Sequence, residues 1–196
     1  MTLESSHKSV EPPSVPEIVT LLIGANGRRI SNTLAYTNSP ERDPLFAILN
    51  VVEKKYPSLY AEIVREGIIV DLWGGHSLPS GESLKKHQIR YYVSIDLNHE
   101  DRQTVKEDTL VIEKKWDFYS VLASVPDGSI PCIYVRMIDE IIIDDYRERR
   151  RLRELIKQKL TPNGIVISSA SRIFSEFSGV KTELFQPNIG DESLWF

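Results

Sequence analysis

Residues 68–81 combine two features that could do chemistry: a carboxylate at the end of an apolar run, and glycines soon after it. The stretch reads IIVDLWGGHSLPSG, in which Asp71 is followed by Gly74, Gly75 and Gly81. Loop glycines let backbone amides approach a ligand with no side chain in the way, and a carboxylate accepts hydrogen bonds from hydroxyl groups. The pattern predicts a site for a nucleotide-type ligand, with an ordinary strand-to-helix turn as the alternative.

Other side chains in this part of the chain are candidates for the same site. Asp96 ends a second strand-like run, where it could contact a ligand or cap a helix. Asp117 and Phe118 end a third run, and Glu113 competes with Asp117 for the same role. His76 lies inside the glycine loop and could act as a general base near neutral pH, although a solvated loop residue is the favoured interpretation.

The order of the elements predicts a sheet that brings these residues together. The strand-like runs from residue 67 onward are IIVDL, RYYVSIDLN, TLVIEKKWDF, IPCIYVRMID, GIVISSA, VKTELFQP and ESLWF; the helix-like segments are GESLKKHQ, YSVLASVPDGS, residues 144–164 and SRIFSEFSG. This alternation predicts a doubly wound, mostly parallel α/β sheet with helices on both faces. The last two strands are joined too tightly for a crossover and predict an antiparallel hairpin at one edge. Ligands of such sheets bind at the carboxyl ends of the strands.

The segment 17–66 precedes this sheet and is predicted to form a hairpin followed by helices. Two β-leaning runs flank Ala25-Asn26-Gly27, and Asn-Gly tolerates the positive φ of a tight hairpin turn. Residues 44–66 have helical spacing, with Pro57 as a break and Gly67 as the stop. We expect this segment to lie across the mouth of the site as a cap that helps to define a substrate pocket.

Composition and charge exclude several classes of protein. The 196 residues are 41% hydrophobic, which predicts one globular unit over residues 67–196 with its cap. A net charge of −4 argues against nucleic-acid binding over the whole surface. Cys132 is the only cysteine, so neither a disulfide within the chain nor a cysteine zinc site is predicted, and a cytoplasmic location is expected. Residues 1–16 predict a disordered leader without the apolar core of a signal peptide, and no run approaches the length of a membrane span.

Several residues have a plainer interpretation than a functional one. The basic helical run from Arg147 to Glu154 could bind nucleic acid or an acidic partner, but its interleaved glutamates favour a solvated face with Glu/Arg pairs. His87 and His99 lack partners at metal-ligand spacing and are interpreted as surface residues. Cys132, at the start of a buried strand, is interpreted as an inert small hydrophobic residue.

The order of motifs from residue 68 to residue 196 resembles that of the Rossmann-like S-adenosylmethionine-dependent methyltransferases. The resemblance rests on the DLWGG segment from Asp71, on Asp96, on Asp117-Phe118, and on the segments VPDGSIPCIYVRMID and KLTPNGIVIS. It implies that S-adenosylmethionine is the cofactor and that Asp96 binds its ribose. Asp117 would take the adenine amino group, Phe118 would pack on the ring, and Asp71 would shape the loop near the amino-acid end.

The resemblance also implies the reaction, the transfer of a methyl group to a small-molecule or protein substrate. No metal is implied, and a substrate that must lose a proton would find a general base in His76 or Asp139. Nucleic acid is less expected as a substrate because the chain is acidic. The apolar LWF segment at the carboxyl end, if it forms a bare sheet edge, would favour a homodimer.

The glycine loop departs from the family pattern. The family has glycines at the second, fourth and sixth places after the acid, where this chain has Trp73, Gly75 and Ser77, with Gly74 between. A Trp73 side chain in the methionine subsite would exclude the cofactor, whereas Trp73 in the core would leave the site open. The second hypothesis is therefore a catalytically inactive methyltransferase-like domain that serves as a binding or scaffold module.

Overall fold

The computed structural model describes residues 15–24, 44–72, 78–97, 99–136, 145–169, 182–185 and 192–195. The helices of these ranges are α1 (Glu17–Gly24), α2 (Pro44–Lys55), α3 (Pro57–Glu66), α4 (Gly81–Lys86), α5 (Phe118–Ser124) and α6 (Tyr146–Lys159). The strands are β1 (Ile68–Leu72), β2 (Tyr91–Ile95), β3 (Arg102–Lys106), β4 (Thr109–Lys114), β5 (Ile130–Arg136), β6 (Leu160–Ser169), β7 (Thr182–Phe185) and β8 (Glu192–Trp195). None of the described helices is long and apolar enough to cross a membrane.

The strands form one sheet in the order β3-β4-β2-β1-β5-β6-β8-β7. The five strands from β4 to β6 in this order pair in parallel. β3 is antiparallel to β4, and β8 lies antiparallel between β6 and β7. This arrangement confirms the predicted doubly wound, mostly parallel sheet with a carboxyl-terminal antiparallel hairpin.

Three of the described helices cover each face of the sheet. Apolar side chains alternate along the strands, so that Val70 and Val93 pack with α1, α5 and α6, whereas Ile69 and Tyr92 pack with α2, α3 and α4. We call these the α5/α6 face and the α2/α3 face. The central strands β1 and β2 are buried on both sides, and their sequences are mainly apolar, as such strands require.

The predicted helices of residues 44–66 are confirmed in detail. Pro57 begins α3 directly after α2 ends, since a proline fits the first turn of a helix but not its interior. Gly67 ends α3 in the left-handed region, with φ 59°, and its N–H donates to the Ile63 carbonyl at 2.8 Å. The predicted apolar stripe of α2 is buried; it consists of Leu45, Ile48, Leu49 and Val52.

The predicted hairpin is wrong in its first arm, because residues 17–24 form the helix α1. Val19 and Leu22, three positions apart, are buried against the α5/α6 face, and this packing outweighs the strand preference of the β-branched residues. The ammonium of Lys114 on β4 also donates to the Ile23 carbonyl at 2.9 Å and so satisfies a carbonyl in the last turn of α1. The proposed turn at residues 25–27 and the second arm lie outside the described residues.

Three further differences concern the strands. β3 was not predicted, because Val105 is its single apolar residue and all its residues are exposed apart from Lys106, which is partly buried. α6 ends at Lys159 rather than at residues 162–164, since Leu160 already pairs with Ile130 and begins β6. β8 pairs on both sides, so Leu194 and Trp195 are not at a bare edge of the sheet; Phe196 lies outside the described residues, and the homodimer remains a prediction. The predicted helix at residues 171–179 lies outside the described residues.

Candidate functional site

The candidate site lies at the carboxyl edge of the sheet, where the strand order reverses. The chain goes from β1 to its neighbour β2 on one side and later to β5 on the other. A doubly wound sheet binds its ligands in the crevice at such a reversal. The predicted loop residues Trp73, Gly74, Gly75 and His76 follow β1, and Asp139 follows β5; these five lie outside the described residues.

A row of polar residues crosses the sheet one position before this edge. Asp71 on β1 is in register with Ser94 on β2 and with Tyr134 on β5. Ser94 is in register with Glu113 on β4, which is paired with Arg102 on β3. Residues in register point to the same face of a sheet, and Tyr134 packs in the core of the α2/α3 face. The polar row therefore points toward α2 and α3 rather than along the strands.

Asp71 is held inside the protein. It is fully buried, and its carboxylate accepts a hydrogen bond from the hydroxyl of Tyr92 on the neighbouring strand. A buried carboxylate requires such donors because it has left water. That Asp71 shapes the loop after β1 remains a prediction. Its hydrogen bond with Tyr92 gives it a structural role on the α2/α3 face.

Ser94, His99, Glu113 and Arg102 form a connected chain of polar contacts. Ser94 Oγ lies 2.8 Å from His99 Nε2, and His99 Nδ1 lies 3.5 Å from Glu113 Oε1. Glu113 in turn accepts two hydrogen bonds from the Arg102 guanidinium, one of them at 3.0 Å. The order of atoms is that of a serine–histidine–acid triad, but Ser94 is fully buried inside the strand β2, where its hydroxyl does not meet solvent. We interpret this series of polar contacts, called the tie below, as a link that holds the loop after β2 against the sheet.

The tie fixes the position of Asp96. The Asp96 N–H donates to the Lys114 carbonyl at 3.0 Å and extends the β2–β4 ladder by one residue, while its carbonyl accepts from the His99 N–H at 3.3 Å. Asp96 is only 3% exposed. Asp96, the residue predicted to bind the ribose, thus lies at the carboxyl edge beside the reversal of strand order. Backbone hydrogen bonds with Lys114 and His99 hold it there.

No protein-family model matches the chain, and no curated protein matches it. Among solved structures, the chain is similar to an S-adenosyl-L-methionine methyl transferase from Silicibacter pomeroyi, with 18% identity, a TM-score of 0.45, and coverage of 79% of this chain and 98% of that one. It is also similar to a SAM dependent methyltransferase from Archaeoglobus fulgidus, with 14% identity, a TM-score of 0.39, and coverage of 74% and 79%. These similarities are low, so the fold is assigned from the strand order of this chain itself. The chain has a doubly wound, mostly parallel α/β fold.

Asp117 and Phe118 stand at the start of α5. Asp117 is the N-cap: one carboxylate oxygen accepts from the Tyr119 N–H at 3.1 Å, and the other accepts from the N–H and hydroxyl of Ser120. A carboxylate has about four acceptor sites, so one remains for a ligand. Phe118 is buried in the core of the α5/α6 face with its ring 4.7 Å from that of Tyr119. The adenine contacts implied for both residues remain predictions.

Both histidines interpreted as surface residues are buried, which corrects that expectation. His99 lies in the tie described above, and His87 is enclosed between the rings of Phe46 and Tyr60. The Tyr60 hydroxyl lies 2.9 Å from His87 Nδ1, and burial raises the pKa of that tyrosine, which keeps its proton. The sequence contained one usable signal for the tie: Ser94 interrupts a buried strand, and a buried hydroxyl needs a partner.

Two further features of the described residues lie apart from the reversal point. A cavity of about 250 Å³ opens beside β3 and β4, where Arg102 is bound to Glu113 and Lys114 to the Ile23 carbonyl, so its charged lining is already paired. Burial raises the pKa of the Cys132 thiol to about 12, in agreement with an inert residue. Among the described residues, no group of three or more His, Cys, Asp and Glu side chains could hold a metal ion.

Proposed function

We propose that the protein binds S-adenosylmethionine at the carboxyl edge of its sheet and transfers the methyl group to a substrate nucleophile. The observation that carries the proposal is the position of Asp96. It ends the strand next to β1, beside the reversal of strand order, and its backbone is fixed by Lys114 and by the tie through His99. An acidic residue in the corresponding place of dinucleotide-binding sheets accepts hydrogen bonds from the ribose hydroxyls.

The polar groups at this edge match the hydrogen-bonding groups of the cofactor. Asp96 would accept from the ribose diol, and Asp117 retains one acceptor site for the adenine amino group. Gly74 and Gly75 would allow backbone amides to approach the amino-acid end. When bound, S-adenosylmethionine supplies an electrophilic methyl group on its sulfonium. The chain itself would align the two reactants and exclude water, and His76 or Asp139 would remove a proton from an acceptor that must lose one.

Calorimetric titration with S-adenosylmethionine and S-adenosylhomocysteine tests the proposal. We expect Asp96→Asn to weaken binding of both ligands by about 10- to 100-fold, since hydrogen bonds to a charged group contribute about 1.5–3 kcal/mol. Asp108→Asn is the matched control, because Asp108 is exposed in the β3–β4 turn, at the amino end of β4, and loses the same charge. Circular dichroism and thermal unfolding of each variant verify that it is folded. Equal binding by Asp96→Asn and wild type would refute the placement of the cofactor.

The second candidate, an inactive methyltransferase-like scaffold, is favoured by the burial of the same residue. Because Asp96 is 3% exposed, a ribose can reach its carboxylate only after neighbouring protein atoms move. Asp71 and Asp117 also have structural hydrogen bonds that would justify their presence without a cofactor. No heat with either ligand, from wild-type protein shown to be folded, would exclude the enzyme and leave the scaffold.

A further inference from the structure

Helix α6 concentrates positive charge in an otherwise acidic protein. Its sequence YRERRRLRELIKQK has seven arginines and lysines and two glutamates, a net charge of +5. The whole chain has 24 basic and 28 acidic residues, so the rest of it has 17 basic and 26 acidic residues and a net charge of −9. A basic stripe along one helix is the electrostatic footprint of a nucleic-acid-binding surface.

Three of these arginines form an exposed stripe without a strong ion pair. Arg147, Arg150 and Arg151 are spaced three and four residues apart and all are exposed. Arg151, 73% exposed, reaches Glu148 only at 3.8 Å, and among the described residues no carboxylate pairs with Arg147 or Arg150. The predicted Glu/Arg pairing therefore accounts for little of this charge.

An aromatic ring lies among the guanidinium groups. Tyr146 is 53% exposed, and the guanidinium carbons of Arg149 and Arg153 both lie 5.9 Å from its ring centre. Arg153 is fully buried, which corrects the expectation that the whole run is solvated. The accessible ring offers an unpaired base a surface to stack on, and the exposed guanidinium groups of Arg147, Arg150 and Arg151 offer cations for its phosphates.

The stripe adjoins the candidate site. The hydroxyl of Tyr119, in the first turn of α5, donates to the Glu148 carbonyl in the first turn of α6 at 3.1 Å. Burial raises the pKa of Tyr119 to about 12, so the hydroxyl keeps the proton it donates. Since α5 begins four residues after the carboxyl end of β4, this contact places the start of α6 at the same edge of the sheet.

We propose that Tyr146, Arg147, Arg150 and Arg151, the α6 arginine surface, bind single-stranded nucleic acid. The arginines contact phosphates, and Tyr146 stacks on a base. An acidic protein segment would use the charges but not the exposed ring, and a duplex would keep its bases stacked on each other. The binding surface goes beyond the proposed function and does not depend on it; only the use of the bound strand as methyl acceptor would rest on it.

Fluorescence anisotropy of a labelled oligouridine of about 12 nucleotides, titrated with the full chain over a salt series, tests the surface. Each phosphate contact on a single strand contributes about −0.7 to the slope of log K against log salt. We expect Arg147→Ala/Arg150→Ala to reduce that slope by about 1.4 and to weaken binding about 25-fold near 0.1 M salt. Tyr146→Ala should weaken binding by about 5- to 150-fold and leave the slope unchanged.

The matched control is Lys54→Ala/Lys55→Ala, which removes the same charge from exposed positions of α2 on the other face of the sheet. A similar loss in this control would show a nonspecific charge effect and overturn the proposal. So would an absence of micromolar binding by wild type, or equally effective competition by polyglutamate, which would identify an acidic protein partner. An oligodeoxyuridine arm distinguishes RNA from DNA. Binding of the oligonucleotide without binding of S-adenosylmethionine would retain this surface and remove the proposed enzyme.

Discussion

The hydrogen bond between Tyr92 and Asp71 determines whether Asp71 serves the core or the ligand edge, and it can be tested by substitution. Both side chains are fully buried, and they lie on the α2/α3 face. Tyr92→Phe removes one hydroxyl and leaves the packed ring in place, so the carboxylate loses a donor that water cannot readily replace. Hydrogen bonds to charged groups contribute about 1.5–3 kcal/mol, and we expect a loss of about 2 kcal/mol in the free energy of unfolding.

Urea unfolding of four proteins measures the interaction: wild type, Tyr92→Phe, Asp71→Asn and the double variant. If the two groups interact as described, the double-mutant cycle should give a coupling energy of about 1–2 kcal/mol. Tyr91→Phe is the control, because Tyr91 is the adjacent residue, faces the α5/α6 side, and has a hydroxyl that makes no hydrogen bond with the described residues. We expect this control to cost less than about 0.5 kcal/mol.

Additive effects within about 0.5 kcal/mol would contradict the interpretation. So would a Tyr92→Phe variant no less stable than Tyr91→Phe. Either result would mean that the hydrogen bond from Tyr92 to the Asp71 carboxylate contributes little to stability. Asp71 would then again be a candidate for contact with the ligand. In that case Asp71→Asn should reduce the free energy of S-adenosylhomocysteine binding by more than it reduces the free energy of unfolding.

Three further outcomes are expected. Gly67→Ala should lower the free energy of unfolding by about 1–2 kcal/mol, because φ is 59° and the added Cβ would lie 2.8 Å from a neighbouring arginine nitrogen; in urea unfolding Gly24→Ala, with nothing within 4 Å, should cost much less. The hydrogen bond from Lys159 lowers the pKa of Asp127 below its usual 3.8, so this carboxylate stabilises the fold above that value and the effect is lost as the pH falls through the folded pKa; the stability difference between wild type and Asp127→Asn should shrink below about pH 4, and a constant difference would contradict it. Cys132, with a thiol pKa of about 12, should resist a disulfide-exchange reagent in the folded protein and react in urea, whereas rapid labelling of the folded protein would place it near the surface.

The parts of the fold that the sequence predicts are those with local causes. The strands β1, β2 and β5 are short runs of mainly apolar residues, which buried parallel strands require. Pro57 and Gly67 punctuate the helices at the positions where the missing N–H and the positive φ demand those residue types. The final hairpin follows from the length of its connection alone, because a parallel crossover needs more chain.

The errors have causes distant in the sequence. α1 reads as a strand until its contact with Lys114, 91 positions from Ile23, is known. β3 has no apolar alternation, its Val105 is 72% exposed, and it exists because β4 offers an unpaired edge. The ring of His99 lies between Ser94 and Glu113, and Glu113 comes next to Ser94 only through the register of the parallel strands β2 and β4.

Asp71, Asp96 and Asp117 illustrate a limit of sequence spacing. It predicts that an acidic residue lies at the carboxyl edge of the sheet, but it does not predict what the side chain binds there. A carboxylate at the end of a parallel strand arrives where ligands bind, but it also arrives where helices start and where the next strand offers hydroxyl groups. Asp117 caps the helix α5, and Asp71 accepts a hydrogen bond from the Tyr92 hydroxyl of the next strand. These two roles do not exclude a ligand, because a carboxylate accepts several hydrogen bonds. The backbone of Asp96 is held at this edge by Lys114 and His99, beside the reversal of strand order, and its substitution is the one that separates an enzyme from a scaffold with the same fold.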